Sequence, residues 1–304
     1  MWLVFAILTA VFWGGSDLFS KMGTNPKDKY SHLKLIIVVG TVMGITGFVM
    51  LILNFGSFDP MSIIRYLPVA ALYIGAMFIG YIGLRYLDLS VSSPVCNSSG
   101  AIAALLCVVL LGQRMEGLQY FAIALVVGGV LMLSIFDMKD ENKVRRFRGE
   151  IIEEKYRVSL IAILIPIFYA IVDALGTFSE VFILEGDTPI VSEDDAKIAY
   201  YLIFFLCAVL AFIYLVVIKK EKLNLWDERE KGAAALCETA GQFFYIQALS
   251  QDGNAAKAAP IISAYCVFSV IYSRLFLKEK LTARQYVAIV VAVVGIITMG
   301  FFDA

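Results

Sequence analysis

Long apolar runs separated by short polar segments dominate the hydrophobic pattern of the chain. Most runs are close to the roughly 20 residues that an α-helix needs to cross a bilayer. None has the alternating pattern of about ten residues that is typical of a barrel strand in an outer membrane. The pattern therefore predicts ten membrane-spanning helices, at 2–22, 34–54, 66–86, 92–112, 119–136, 158–184, 197–218, 232–250, 256–277 and 285–302.

One charged segment divides these helices into two equal groups. Residues 137–157 read "DMKDENKVRRFRGEIIEEKYR", and five apolar runs lie on each side of them. The sequence thus predicts a first repeat at 1–136, a charged linker at 137–157 and a second repeat at 158–304.

The two groups resemble each other in sequence. The stretch from Ser92 to the fifth run aligns without a gap with the stretch from Ala258, and Gly129 then falls on Gly295. We interpret Gly128, Gly129 and Gly295 as helix-contact positions. With five spans in each copy, the second copy enters the membrane from the opposite side. The predicted fold is an all-α integral membrane protein of ten transmembrane helices in two inverted five-helix repeats, an arrangement associated with alternating-access carriers.

The composition fits a lipid environment and limits the classes of partner. The chain is 60% hydrophobic and 17% charged, with a mean hydropathy of +0.82, whereas soluble domains are nearer 45–50% apolar. The net charge of −1 gives no reason to expect nucleic acid as a partner. The five cysteines lie in apolar runs without paired spacing, so we expect neither a metal site nor a disulfide framework. No cofactor is expected. The lipid bilayer is the expected surrounding, and the oligomeric state stays open.

Two aspartates occupy unusual positions within the apolar runs. Asp17 and Asp173 both lie well inside a span, and Trp13 and Tyr169 precede them by four residues, on the same helical face. An ionised aspartate at a helix centre costs about 2.5–3.5 kcal/mol, and such residues usually face a polar cavity. The sequence predicts that these four side chains line a substrate cavity. The alternative is a structural hydrogen bond to a helix break or an ion pair with a nearby base.

The eighth span carries a polar stripe of the same kind. Glu238, Gln242 and Tyr245 are spaced at i, i+4 and i+7, and Tyr81 of the third span aligns with Tyr245. Packing alone is the alternative interpretation for the tyrosines.

The fourth span of each half begins with hydrogen-bonding side chains. Asn97 follows Pro94 in the first half, and Tyr265 lies in the corresponding segment of the second half. Lys257 could bind a carboxylate or extend to the membrane interface. The predicted substrate-binding residues are Trp13, Asp17, Tyr81, Asn97, Tyr169, Asp173, Glu238, Gln242, Tyr245 and Tyr265. Asp17, Asp173 and Glu238 could also carry a coupling proton, because removal from water favours the neutral form of a carboxyl group.

Three motifs carry a resemblance to a known family. "WGGSDLFSK" in the first span, "GLRYLDLSVSSP" between the third and fourth, and "LKEKLTARQY" before the last resemble the EamA branch of the drug/metabolite transporter superfamily. The resemblance covers nearly the whole chain. It implies a carrier of small organic metabolites whose cavity is lined mainly by the first four helices of each half. The chain departs from the family pattern at Asp17, where asparagine is frequent, and at Gln113, where glutamate is frequent. The second half keeps that glutamate as Glu279.

The basic residues predict an orientation. Only Arg65, Arg114, Lys197 and Lys257 lie in or beside loops after even-numbered spans, and the other 21 of the 25 lysines and arginines follow odd-numbered spans. Cytoplasmic loops collect Lys and Arg, so the charge pattern places both termini outside the cell membrane. The family resemblance implies that both termini are inside. We favour the charge pattern.

These features predict a secondary-active transporter and no enzyme. An acidic, aromatic-lined cavity favours a cationic or zwitterionic metabolite such as an amine or amino acid, with coupling to protons available. Export or carriage of a neutral or anionic metabolite is the first alternative. An intramembrane aspartyl enzyme is a remote one, because the chain lacks GxGD and HExxH motifs. A channel is also remote, and the short loops leave no soluble domain for a sensor or scaffold.

Overall fold

The fold is built almost entirely of α-helix. The structure is a computed structural model, and the described part of the chain contains no β-strand. It describes residues 1–23, 30–54, 56–86, 96, 98–147, 160–185, 188–221, 223, 228–251, 253–276, 278 and 281–302.

Each predicted apolar run coincides with helix. The first half contains α1 (Trp2–Gly23), α2 (Ser31–Leu53), α3 (Met61–Tyr86), α4 (Ser99–Leu110) and α5 (Gly117–Phe147). The second half contains α6 (Leu160–Leu184), α7 (Glu193–Phe212), α8 (Arg229–Leu249), α9 (Ala255–Ser263), α10 (Tyr265–Phe276) and α11 (Ala283–Phe302). The last turn of the seventh run, Ile213–Ile218, is a π-helix. Residues 92–95 and 97 of the predicted fourth span lie outside the described residues.

Helix α5 is longer than the apolar run that predicts it. The sequence predicts an end at residue 136, but the helix continues to Phe147 through the charged segment "DMKDENKVRRF". This segment contains two Lys, two Arg, one Glu and one Met, which favour helix, and it has no Gly or Pro. The first part of the expected linker is therefore helical.

The ninth predicted span is not one continuous helix. It is divided into α9 and α10 at Ala264, whose backbone N–H bonds the carbonyl of Ile261 three residues earlier at 3.1 Å. Pro260 lies inside α9, where it has no N–H to donate to the preceding turn. The predicted span at 256–277 thus has a local break, although Ala255–Phe276 as a whole is long and apolar enough to cross a membrane.

Six helical segments of the described chain are long and apolar enough to cross a membrane, and one of them, Ala255–Phe276, comprises α9 and α10 together. Three further apolar helices are shorter. The six are Trp2–Ser20, Ser31–Leu53, Met61–Ile79, Ile167–Leu184, Glu193–Ile218 and Ala255–Phe276, and the shorter three are Ser99–Leu110, Gly117–Leu133 and Ala283–Met299.

Helices of the first half pack on helices of the second half in a regular order. The second, fourth and fifth helices each pack on their counterparts, as α2 on α7, α4 on α9 and α5 on α11. The first helix of each half packs on the third of the other, as α1 on α8 and α6 on α3.

Glycines allow the α5 and α11 backbones to approach closely. A Cβ at Gly129 would lie 2.6 Å from the backbone nitrogen of Ala292, and one at Gly295 would lie 2.8 Å from the carbonyl oxygen of Ala122. The interpretation of these two glycines as helix-contact positions is confirmed. Gly128 has no neighbour within 4 Å of its Cβ position, so that interpretation is wrong for Gly128.

Candidate functional site

One acidic cluster lies where α1 meets α8 and α10. The Ser269 hydroxyl of α10 donates to Asp17 Oδ2 at 2.8 Å. Glu238 of α8 hydrogen-bonds Ser16 and lies within electrostatic range of Asp17. Asp17 is exposed, whereas the other residues of α1 between positions 5 and 20 are buried or half-buried. The carboxylate thus contacts the second half through Ser269, and the Asp17 side chain remains exposed.

The second aspartate lies on the opposite half. Asp173 of α6 is half-buried and hydrogen-bonds Ser99, the first residue of α4. Tyr245 and Tyr265 lie within its electrostatic range. Tyr265 is also within range of Asp17, so it lies near both aspartates.

Aromatic rings connect the two acidic regions. The Trp13 ring lies 5.0 Å from that of Tyr245 in a tilted arrangement and 5.9 Å from that of Tyr265, edge to face. Gly241 makes this packing possible, because a Cβ there would lie 2.4 Å from the indole Cδ1. A side chain at position 241 would displace the tryptophan ring.

Among the described residues, two buried nitrogen donors in this region have no hydrogen-bond partner. They are Trp13 Nε1 and Gln242 Nε2, and Gln242 as a whole is only 3% exposed. A buried donor without an acceptor is costly, so these positions are suited to a solute that brings an acceptor.

A fourth carboxylate of this region, Glu180, is not among the residues predicted from the sequence. Glu180 of α6 is fully buried and accepts hydrogen bonds from the hydroxyls of Tyr66 (2.5 Å) and Tyr73 (2.7 Å). The Tyr73 hydroxyl also lies 2.5 Å from that of Tyr245, which lies 2.8 Å from Thr177 Oγ1. The sequence signal is the spacing of Asp173, Thr177 and Glu180 at i, i+4 and i+7, one helical face.

A buried lysine lies at the beginning of α7. Lys197 is 1% exposed, pairs with Glu193, and places its nitrogen 4.3 Å from the centre of the Phe243 ring. Lys257 lies at the beginning of α9, with its nitrogen 3.2 Å from Asn254 Oδ1 and 5.9 Å from the Trp2 ring centre. Both lysines thus lie near the ends of their helices.

The structure brings most predicted site residues into one region and leaves some outside it. Tyr169 is half-buried on α6, one turn before Asp173. Tyr81 belongs to α3, but its side chain and the whole of Asn97 lie outside the described residues. The residues that meet are Trp13, Asp17, Asp173, Glu238, Tyr245 and Tyr265, joined by Ser16, Ser99 and Ser269.

Comparison with solved structures finds the same fold elsewhere. Twenty-eight solved chains match this one. One of them, titled only as a crystal structure of a protein, has a TM-score of 0.73 at 12% identity, and the match covers 99% of this chain and 96% of that one. At this identity the likeness shows the fold alone. No curated protein matches the sequence.

The family model supplies the identification. The EamA-like transporter family matches residues 1–135 and 191–301. In the first half, the match includes α1 to α4 and the greater part of α5. In the second half, it includes α7 to α10 and nearly all of α11. Together with the apolar helices, this match makes the protein a multi-pass membrane protein. The chain therefore belongs to the EamA-like transporter family, a branch of the drug/metabolite transporter superfamily.

Proposed function

We propose that this transporter carries a cationic or zwitterionic small metabolite by alternating access, through a site formed between two inverted five-helix repeats. The regular pairing of helices between the halves supports the repeat arrangement. In two copies related by a twofold axis, the second, fourth and fifth helices would each pack on their counterparts. The first helix of each copy would pack on the third helix of the other. Repeats of this kind rock about a site near the bilayer midplane.

The negative charge of the site is the main support for the proposal. Within the described residues, the groups that interact with Asp173 and Glu238 are hydroxyls, phenols, the Cys237 thiol and the carboxylate of Asp17. No lysine or arginine is among them. Carboxylates in a membrane are costly without a positive partner, so a positively charged solute would supply the missing charge.

The aromatic rings support the same class of solute. The Trp13 ring packs against the rings of Tyr245 and Tyr265, and Tyr265 lies within electrostatic range of Asp17 and Asp173. An ammonium group over such a ring gains about 0.5–2 kcal/mol. Asp17, Asp173 and Glu238 remain candidates for carrying a coupling proton as well.

The unpartnered donors favour a zwitterion over a simple cation. Trp13 Nε1 and Gln242 Nε2 are buried N–H groups without acceptors among the described residues. A carboxylate or carbonyl oxygen on the solute would satisfy both. We therefore place amino acids ahead of amines within the proposed substrate class.

A thermal-shift screen of the purified protein tests this class. The probes are pairs that differ by one carboxylate, namely lysine with cadaverine and tyrosine with tyramine, and glutarate is the anionic probe. We expect stabilisation by the amino acids, a smaller shift with the amines, and none with glutarate. Stabilisation by glutarate alone would contradict the proposed charge selectivity. Trp13→Phe and Gln242→Leu should reduce the difference between amino acid and amine.

A further inference from the structure

Glu180 is a buried carboxylate that the proposed substrate site does not use. It lies four residues before the end of α6, and its side chain is 0% exposed. Its two oxygens accept hydrogen bonds from two phenols of the other half, Tyr66 and Tyr73. A solute could not reach these oxygens without displacing one of the phenols.

The described groups that interact with Glu180 are neutral phenols. Tyr66 and Tyr73 face it from α3, and Tyr245 from α8 and Tyr200 from α7 lie within its electrostatic range. On α4, the titratable Cys107 interacts with Glu185 instead. No cation is among the described groups that interact with Glu180. A proton is therefore the positive partner that fits the space.

The hydroxyls beside Glu180 form a hydrogen-bonded chain, and donation along this chain can point toward Glu180 or away from it. When Glu180 is ionised, Tyr73 donates to it, so Tyr245 must donate to Tyr73 and Thr177 must donate to Tyr245. When Glu180 carries a proton on Oε2, it can donate to Tyr73, which then donates to Tyr245, and Tyr245 to Thr177. Thr177 is then free to donate to the backbone oxygen of Asp173, which lies 3.2 Å from Thr177 Oγ1. The distances of 2.7, 2.5 and 2.8 Å along the chain suit either direction.

We propose that Glu180 is the proton-binding site that couples transport, and that the Tyr73–Tyr245–Thr177 hydroxyl chain relays its protonation to the substrate site. The step takes up one proton from water, neutralises the carboxylate and reverses three hydroxyl donors. Tyr245 is the point of contact, because its ring packs 5.0 Å from Trp13. The proposal rests on the proposed transport function, but it assigns the proton to a residue separate from Asp17, Asp173 and Glu238.

Infrared difference spectra between two pH values test proton binding without any substrate. The full-length protein in liposomes should show a carboxylic-acid carbonyl band that disappears in Glu180→Gln and persists in Asp173→Asn and Glu238→Gln. Tyr73→Phe, which keeps the carboxyl group, should shift that band because it removes a hydrogen bond to Oε2. A band unchanged by Glu180→Gln, or no titrating band in the native protein, overturns the proposal. If Glu180→Gln does not fold, an unshifted band in Tyr73→Phe overturns it.

Transport in proteoliposomes tests the coupling. The probe is whichever of radiolabelled lysine, cadaverine, tyrosine or tyramine the native protein exchanges. We expect Glu180→Gln to retain exchange across equal concentrations, while its proton-driven accumulation ratio falls to one. Retained accumulation in Glu180→Gln contradicts coupling at this residue. If the native protein carries none of the four probes, the proposed substrate class fails, and the infrared result still decides whether Glu180 binds a proton.

Discussion

The Gln113 side-chain nitrogen lies 2.7 Å from both carboxylate oxygens of Glu185, and it joins the two halves of the transporter at one end. Gln113 Oε1 accepts a hydrogen bond from the Ala256 backbone at 2.8 Å, and Glu185 accepts one from the Gly253 backbone at 3.1 Å. This arrangement explains why the chain has glutamine here, where the family resemblance implies glutamate. Two carboxylates at this distance would repel each other.

Replacing that glutamine should weaken the junction. Gln113→Glu removes the donor and places a carboxylate against Glu185, so we expect a loss of about 1–3 kcal/mol in the free energy of unfolding. Thermal or denaturant unfolding in detergent measures the loss. The exchanged pair, Gln113→Glu with Glu185→Gln, restores one donor and both backbone bonds and should recover most of the stability. A double variant no more stable than Gln113→Glu would contradict this account.

Adjacent glycines of α5 offer a matched pair of substitutions. Gly129→Ala places a methyl group 2.6 Å from the backbone of α11, and overpacking of this kind costs about 1–3 kcal/mol. Gly128→Ala meets nothing within 4 Å and should be neutral or stabilising by up to about 1 kcal/mol, since alanine favours helix. Unfolding measurements on the two variants check the packing of the fifth helices. Equal effects would contradict the close approach at Gly129.

The buried lysine at the beginning of α7 should contribute to stability. Lys197→Met leaves Glu193 without its partner, and breaking a buried pair costs about 3–5 kcal/mol. Glu193 keeps 29% exposure and also accepts from Ser250 at 2.8 Å, so we expect a smaller loss, about 2 kcal/mol. Lys219→Met, at an exposed lysine, is the control in the same unfolding assay. Equal losses in the two variants would show that burial of Lys197 contributes nothing.

Loop accessibility decides the orientation of the chain. The charge pattern places the loop after the sixth span outside, so Thr188→Cys should react with an impermeant maleimide in intact cells. Glu221→Cys, after the seventh span, should react only after permeabilisation. Both positions are exposed. The unsubstituted protein is the control for its own five cysteines, of which Cys107 and Cys266 are buried. The reverse labelling pattern would support the orientation that the family resemblance implies.

The helices could be predicted from the sequence because the bilayer requires apolar runs of a fixed length. The predictions miss two details that local chemistry decides, namely the break at Ala264 within the ninth span and the charged extension of α5 to Phe147. Neither depends on hydrophobicity. Both had a signal in the sequence, namely Pro260 and the run of helix-forming charged residues.

The site could be predicted only in part. Asp17, Asp173 and Glu238 are conspicuous because they interrupt apolar runs, and their aromatic neighbours follow from helical spacing. Glu180 lies near the end of its span. From the sequence alone, a carboxylate at such a position is expected to face water. Its enclosure by Tyr66 and Tyr73 depends on the packing of α3 against α6, which hydrophobicity alone does not specify.

Uptake by proteoliposomes tests most directly whether solute passes between the halves at the acidic, aromatic cluster. The same four radiolabelled probes are measured with the native protein, Asp173→Asn, Glu238→Gln and, as a control, Asp59→Asn, whose carboxylate is exposed and paired with Arg65. The account predicts that the native protein and Asp59→Asn carry at least one probe and that both cluster variants lose its uptake. Uptake unchanged in Asp173→Asn and Glu238→Gln, with both variants folded, would contradict the account.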